Sequence, residues 1–210
     1  MEEYRVISVL PLGKKKYKVT LEGTETVILS LYPSEIRRYS IQDGNTLSFV
    51  HFTEIQDILY KRGKERALYY LKSSDKTVFQ VRTKLREGYY PINIIDKIIE
   101  FLEKYGYLDD YRYAENYLSY NKKRKSIQRM KNDLSLKGIE KVIIDDVFLE
   151  NIQEDDDIEE GLIEEYCRKK VKDVVDEKQY NKILMALLRK GFKYEQVKSI
   201  LRKVMEETTT

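Results

Sequence analysis

The segment that decides the fold is Gly106-Tyr107-Leu108-Asp109-Asp110-Tyr111-Arg112-Tyr113-Ala114-Glu115-Asn116-Tyr117-Leu118. Apolar residues before it recur at helical spacing up to Gly106, and glycine suits the left-handed backbone position that follows a helix. A second apolar stripe begins at Ala114. Asp109 or Asp110 stands where a carboxylate can accept the unpaired backbone N–H groups of a helix start. The segment therefore predicts a tight helix–helix joint, and a purely structural role accounts for it when it is taken alone.

Glycines in the same context recur along the chain. Gly88, Gly138 and Gly191 each follow a helical apolar stripe and precede an apolar residue, at intervals of 50 and 53 residues. A hydrophobic contact just beyond the glycine is typical of such helix ends. A further helical segment precedes each glycine-ended helix, and another follows it. We therefore predict three repeats of three helices. Coincidence in an all-α protein is the alternative, but the glycines, their flanking residues and the stripes agree.

The first fifty residues follow a different pattern. Apolar and polar residues alternate over residues 16–22, the period of a half-buried strand, and glycine turns separate this segment from two other extended ones. A small antiparallel β-rich segment is expected, followed by a short helical turn from Pro33 to Tyr39. Thr53 with Gln56 forms a capping-box pattern, which predicts that the first long helix starts there. Gly63 is a candidate interruption of that helix.

These patterns predict a mainly α chain, in which three tandem three-helix repeats form an elongated curved array behind the β-rich segment. A three-helix unit this small buries little surface alone, so neighbouring repeats should stack. Residues 153–157 are acidic and are expected to form a solvated, mobile connector. The predicted divisions are the β-rich segment at 1–50, the lead helix and first repeat at 51–110, the second repeat at 111–152, and the connector with the third repeat at 153–210.

Composition restricts the function further. The 210 residues are 41% hydrophobic and 36% charged, and no apolar run reaches membrane-spanning length. The N-terminus lacks a signal-peptide pattern, so a cytoplasmic location is expected. Cys167 and His51 are each single, and no phosphate-binding glycine loop, metal-ligand spacing or Ser/His/Asp set is present. Asp109 and Asp110 could pair for metal or acid chemistry, but a helix cap explains them more simply. We expect a non-enzyme with no cofactor and no metal.

A basic run marks the joint inside the predicted second repeat. Six cations concentrate there, and they are Lys122, Lys123, Arg124, Lys125, Arg129 and Lys131. Such a joint could meet nucleic-acid phosphates or the acidic rim of a protein filament. The alternative is an ordinary solvated surface. The chain also has 18 tyrosines, which could stack on bases. Those near the joint fall on or beside apolar stripes, which favours packing.

Several short motifs lie within residues 104–148, and they are Lys104-Tyr105-Gly106-Tyr107-Leu108-Asp109-Asp110, Tyr113-Ala114, Lys125-Ser126-Ile127, Leu134 and Lys137-Gly138-Ile139. With these motifs the segment resembles the RecX family of recombinase regulators. Counterparts in the first repeat are Arg66-Ala67-Leu68, Leu71, and Leu85 with Gly88-Tyr89. The resemblance extends over about residues 53–205 and is weak in the third repeat. Two loops depart from the family: the basic run lacks its usual glycine, and the turn before Gly88 is one residue short.

Members of that family bind the filament that the recombinase RecA forms on single-stranded DNA, lie in or along its groove, and damp its strand exchange and ATPase. The resemblance thus implies a regulator of RecA that modulates recombination, DNA repair and the SOS response. It implies a monomer whose partners are the RecA filament and single- or double-stranded DNA, with the six cations as candidate contacts. The family motif, which is mainly structural, comprises Gly106, Tyr107, Leu108, Asp109, Asp110, Ala114 and Gly138.

Two other functions stay open at the level of sequence. One is a DNA-binding transcription factor whose short helices act as helix-turn-helix units. It would need a recognition helix with cations on one exposed face and a dimer interface, and neither is evident. The other is an adaptor that binds a different protein through its β-rich segment.

Overall fold

In the computed structural model, residues 3–152, 158–171 and 176–209 are described, and they form a mainly helical chain with one small N-terminal sheet. The chain divides into two compact units, Met1–Asp109 and Asp110–Thr210. Across the described residues, no helix is both long and apolar enough to cross a bilayer. The acidic connector predicted at residues 153–157 lies outside the described residues. The stacking of all three repeats into a curved array stays a prediction.

The N-terminal sheet is antiparallel, with its strands in the order β3-β2-β1-β4. The strands are β1 (Glu3–Leu12), β2 (Lys16–Glu22), β3 (Thr26–Leu31) and β4 (Thr46–Ser48). Val19 and Leu21 of β2 are fully buried, as the alternation predicts. Between β3 and β4 the chain forms helix α1 (Pro33–Arg38), which matches the predicted helical turn. The predicted β-rich segment is confirmed, and it has a fourth strand.

Helix α2 (Phe49–Leu71) begins earlier than the capping-box pattern predicts. Ser48 caps it, because the Ser48 hydroxyl accepts the His51 N–H at 3.3 Å. Thr53 already lies inside the helix, where its hydroxyl donates to the Phe49 carbonyl at 3.0 Å. The predicted start at Thr53 is therefore wrong. Pairing of β4 with β1 carries the strand to Ser48, and the helix follows without a loop.

Gly63 does not interrupt α2, which continues to Leu71. A β-carbon at Gly63 would lie 2.5 Å from Ile98 Cδ1 and 3.0 Å from Tyr90 Cε1. Ile98 belongs to helix α4 (Ile92–Lys104), which packs against α2. Glycine is present here because the two helices approach closely, and the cost of glycine inside a helix is offset by that packing.

The sheet shares one hydrophobic core with α2, α4 and the intervening helix α3 (Val78–Arg86). Arg62 of α2 connects this helix to β3 and α1 by hydrogen bonds. Its guanidinium donates to the Ser30 carbonyl at 2.7 Å and to Glu35 at 2.9 Å. The Ser30 hydroxyl in turn donates to the Gly88 carbonyl at 2.8 Å. The β-rich segment and the first helix triplet therefore pack as one body.

The second unit contains two further triplets, each with its own hydrophobic core. The second triplet consists of α5 (Asp110–Asn121), α6 (Ile127–Leu136) and α7 (Lys141–Asn151). The third consists of α8 (Ile158–Lys170), α9 (Glu177–Arg189) and α10 (Tyr194–Thr209). Beyond β4, every element in the described part of the chain is helical. Asp176 caps α9 as its sequence pattern indicates, since its carboxylate accepts the Gln179 N–H at 2.7 Å.

Three of the predicted left-handed glycines are confirmed. Gly106, Gly138 and Gly191 have φ of 69°, 80° and 91°. After Gly138, the Ile139 N–H returns to the Leu134 carbonyl at 3.3 Å, and after Gly191 the Phe192 N–H returns to Leu187 at the same distance. These bonds satisfy carbonyls that a helix end leaves unpaired. Ile139 and Phe192, which follow Gly138 and Gly191, are buried and lead into the next helix.

Gly88 does not occupy the equivalent position, so that part of the predicted register is wrong. Tyr89 takes the left-handed backbone with φ 56°, and the Tyr90 N–H returns to the Leu85 carbonyl at 3.3 Å. Tyr90 is the buried residue that corresponds to Ile139 and Phe192. The true register is Tyr89, Gly138, Gly191, which removes the one-residue shortening of this turn. A β-carbon raises the energy of Tyr89 by about 1 kcal/mol, and the burial of Tyr90 offsets this.

The left-handed glycine ends can be tested with a matched pair of alanine substitutions. Gly138→Ala should destabilise the protein by about 1 kcal/mol or more, because a β-carbon opposes the left-handed backbone. Gly161→Ala should instead stabilise it by about 0.5–1 kcal/mol. Gly161 lies inside α8, and a β-carbon there meets no atom within 4 Å. Urea unfolding of both variants measures the sign of each change in the free energy of unfolding. A Gly138→Ala protein as stable as the parent would contradict the left-handed backbone at Gly138.

Candidate functional site

The basic run forms the turn between α5 and α6. The turn is closed by backbone bonds to the Asn121 carbonyl, from Arg124 N–H at 2.8 Å and Lys125 N–H at 3.0 Å. No residue of the run has a positive φ, so glycine is not required at this joint. Ser126 caps α6, because its hydroxyl accepts the Arg129 N–H at 3.2 Å. The missing family glycine is thus replaced by a turn of ordinary backbone geometry.

Four of the six predicted cations line a cleft of about 550 Å³ within the second unit, which we call the basic cleft. One wall is the α5–α6 joint, and the others come from α8 and from the end of α9. The lining carries seven cations and one carboxylate, Glu165. The lining residues are Lys123, Arg124, Lys125, Ser126, Arg129, Leu162, Glu165, Tyr166, Lys169, Leu187, Arg189, Lys190 and Phe192.

Two hydrogen bonds hold the walls of the basic cleft together. The Ser126 hydroxyl donates to the Lys190 carbonyl at the end of α9 at 2.7 Å. The Glu159 carboxylate of α8 accepts the Ile127 N–H at the start of α6 at 2.8 Å. Both side chains are buried, with Ser126 1% and Glu159 7% exposed. A β-carbon on Gly191 would lie 2.8 Å from the Ser126 oxygen, so glycine also allows this close approach.

Asp133 of α6 forms ion pairs with two of the predicted cations. It accepts Lys125 Nζ at 2.8 Å and pairs with Arg129 Nε at 3.1 Å. The Tyr117 hydroxyl donates to Asp133 at 2.7 Å and accepts from Lys125 Nζ at 2.8 Å. Burial opposes ionisation of Asp133, but the bonds from Lys125 and Tyr117 hold the pKa of its carboxyl below the ordinary value. The bond to Asp133, then that to Tyr117, raises the pKa of Lys125. Lys125 and Arg129 therefore serve the internal structure of the second triplet.

Lys122 and Lys131, the other two predicted cations, are not in the lining of the basic cleft. Lys131 pairs with Asp145 of α7 at 2.6 Å, and its Nζ lies 5.2 Å from the centre of the Phe148 ring. It thereby links α6 to α7. The sequence grouped six cations because they are neighbours along the chain, and the structure brings only four of them into one cleft.

The sequence interpretation missed three cations of the basic cleft, Lys169, Arg189 and Lys190. Lys190 Nζ lies 4.0 Å from the centre of the Tyr166 ring, and Lys169 pairs with Glu165 at 2.5 Å. Arg189 and Lys190 immediately precede the left-handed Gly191, so the repeat register marks them as joint residues. Nothing in that register indicates which joints lie side by side.

The unpaired cations give the basic cleft its chemistry. Lys123, Arg124 and Arg189 have no ion-pair partner among the residues that the structure describes. The Arg124 guanidinium rests on the Tyr120 ring, 4.8 Å from its centre. Several cations around one concave surface attract phosphate or carboxylate groups.

Cys167 is buried, and burial raises the pKa of its thiol to about 11, so the reactive thiolate is scarce at neutral pH.

The Asp133 network predicts a pH-dependent stability. Asp133→Asn should lower the free energy of unfolding by about 1–2 kcal/mol at neutral pH, because charged hydrogen bonds are lost. Since the folded protein lowers the pKa of Asp133, its contribution is complete above the unfolded value near 3.9 and disappears as the pH falls through the folded value. Urea unfolding from pH 7 downward should show a constant difference that shrinks below about pH 4.

Asp145→Asn is the matched control for this prediction. Its carboxylate pairs with Lys131 at 2.6 Å but is about half exposed, and exposed pairs contribute little to stability. A loss for Asp133→Asn no larger than that for Asp145→Asn would show that the network does not stabilise the second triplet.

A family model for the first three-helix domain of RecX matches residues 64–102. Regulatory protein RecX of Clostridium tetani (strain Massachusetts / E88) is 30% identical over 206 residues, covering 90% of this chain and 93% of the relative. The crystal structure of RecX from Lactobacillus salivarius has a TM-score of 0.62 and 27% identity, covering 70% of this chain and 97% of that one. A second crystal structure of regulatory protein RecX, with 18% identity and a TM-score of 0.62, covers 94% of this chain and 98% of that one and supports the fold.

Proposed function

The chain belongs to the RecX family of regulatory proteins, and on that premise we propose that it binds RecA filaments on single-stranded DNA and inhibits them. Inhibition acts on the ATPase and on strand exchange, and through them on recombination, DNA repair and the SOS response. The protein acts as a monomer. Family membership is the main support for this proposal, because the RecA filament is inferred as the partner from the family. The basic cleft adds a physical route to that partner.

The basic cleft suits a polyanionic partner. A filament of recombinase on DNA presents phosphates and acidic side chains repeatedly along its length. Lys123, Arg124 and Arg189 can meet such groups without first breaking an internal ion pair. Each exposed contact contributes about 1 kcal/mol or less, so affinity comes from several contacts together. Binding of this kind weakens as salt screens the charges and as counterions compete for the phosphates.

Regulation by binding also fits the kind of surface that the second unit offers. The basic cleft is lined by cations together with aromatic and aliphatic side chains. Within the described residues, no three His, Cys, Asp or Glu side chains group as a metal site would require. The function that we propose needs neither a metal nor a bound cofactor. It needs a stable arrangement of charge, which the Ser126 and Glu159 bonds provide.

A charge-removal experiment tests the proposal. The triple variant Lys123→Ala/Arg124→Ala/Arg189→Ala should raise the concentration needed for half-inhibition of the ATPase of the cognate RecA filament by about tenfold or more at low salt. The reason is the loss of three unpaired cations from one surface. The difference from the parent should shrink as salt is added, because screening weakens the parent's own contacts. Circular dichroism and urea unfolding check that the fold is retained.

The matched control is Lys14→Ala/Lys15→Ala/Lys61→Ala. It removes the same charge from exposed positions in the first unit, outside the basic cleft. It should inhibit the ATPase like the parent. Equal inhibition by both triple variants would remove the basic cleft from the mechanism. A parent protein that inhibits no cognate recombinase but binds bare duplex DNA tightly would instead favour a transcription factor.

A further inference from the structure

A second basic surface lies in the first unit, at the end of α2. It is a cleft of about 600 Å³ that we call the tyrosine patch, and its lining residues are Arg66, Tyr69, Tyr70, Lys72, Ser73 and Lys84. The lining contains three cations and no carboxylate. None of these side chains lines the basic cleft.

Tyr69 is the exposed aromatic residue of the tyrosine patch. Its side chain is 77% exposed, and within the described part of the chain its ring stacks on no other ring and lies under no cation. The neighbouring Tyr70 is half buried against the core of the first unit, and Lys76 Nζ lies 5.0 Å from its ring centre. The two adjacent tyrosines thus differ in role. Tyr70 packs against the core, whereas most of the Tyr69 side chain is open to solvent.

An exposed tyrosine is common on protein surfaces, so the surrounding charge is what distinguishes this one. Tyr69 lies three residues after Arg66 in α2 and three before Lys72, which follows the last residue of the helix. Residues three apart are neighbours on a helix surface, so each cation lies beside Tyr69. Arg66 and Lys72 have no ion-pair partner in the described residues. Lys84 comes from α3 and pairs with Glu87 at 3.0 Å. The exposed Tyr69 side chain therefore has an unpaired cation three residues before it and another three residues after it.

We propose that the tyrosine patch binds single-stranded nucleic acid, with one base stacked on Tyr69 and the adjoining phosphates beside Arg66 and Lys72. Unpaired bases expose the flat faces that a tyrosine ring can cover, whereas bases in a duplex are already stacked on each other. An acidic peptide would use the cations and leave the ring unused. This inference rests on the proposed function, because the RecA filament contains single-stranded DNA. The tyrosine patch would contact that strand directly.

The absence of tryptophan from the sequence makes a single-site optical test possible. Tyr69→Trp in the full chain introduces one fluorophore and keeps an aromatic surface at the site. Titration with oligothymidylate should quench its fluorescence, because a stacked base lies against the indole. An abasic oligonucleotide of the same length, which has the phosphates but no bases, should leave the fluorescence nearly unchanged. Poly-glutamate should also fail to quench it.

The matched optical control is Tyr105→Trp. Tyr105 is also a tyrosine of the first unit and is 62% exposed, but its cleft contains the carboxylates of Asp57 and Glu100. Oligothymidylate should not quench this variant. Equal quenching at the two positions, equal quenching of Tyr69→Trp by the abasic strand or by poly-glutamate, or no quenching at Tyr69→Trp would each overturn the proposal.

Affinity measurements separate the ring from the cations. Tyr69→Ala should weaken binding of oligothymidylate by about fivefold or more and leave binding of the abasic strand unchanged. Arg66→Ala/Lys72→Ala should weaken both, and should reduce the slope of log affinity against log salt by about 1.4, since each phosphate contact contributes about 0.7. An unchanged oligothymidylate affinity for Tyr69→Ala would refute the stacking. These assays contain no recombinase, so their result is independent of whether the protein inhibits a RecA filament.

Discussion

Each helix triplet depends on one backbone constraint, the left-handed residue after its middle helix. The chain must reverse there within two residues, and the helix end must still find donors for its free carbonyls. A left-handed residue meets both demands, because the next N–H returns to the carbonyl of a buried leucine and the next side chain enters the core. Gly138 and Gly191 take this conformation easily. Tyr89 takes it against the preference of its own β-carbon, since Tyr90 and Leu85 are held by the surrounding core.

The same helix ends also build the basic cleft. The Lys190 carbonyl lies just before the left-handed Gly191 and accepts the Ser126 hydroxyl, which simultaneously caps α6. Glu159 adds a bond from α8 to the first residue of that helix. One small side chain and one buried carboxylate thereby place a helix start, a helix end and a third helix side by side. The cations on these three elements converge because the hydrogen bonds at the helix ends hold the elements side by side.

Charge in the second unit divides into two classes. Asp133 and Asp145 hold Lys125, Arg129 and Lys131 in internal pairs, where the cations stabilise the helix packing. Lys123, Arg124 and Arg189 have no such partner in the part of the chain that is described, and an incoming anion meets them without a competing carboxylate. A cluster of like charges in a sequence does not distinguish these classes, because the distinction depends on acidic residues one or two helical turns away or on another helix.

Features that arise from local periods and local bonds could be predicted from the sequence alone. They include the helices, the alternating strand at residues 16–22, the left-handed glycines and the family resemblance over residues 104–148. The tertiary structure decided three others. It placed the N-cap of α2 at Ser48 and not at Thr53, because the pairing of β4 with β1 ends at Ser48. It assigned the left-handed position to Tyr89, where a non-glycine residue carries no local signal. It brought Lys169, Arg189 and Lys190 into the basic cleft beside the α5–α6 turn. Contacts between residues 40 or more positions apart depend on how the helices pack, and no local period encodes that packing.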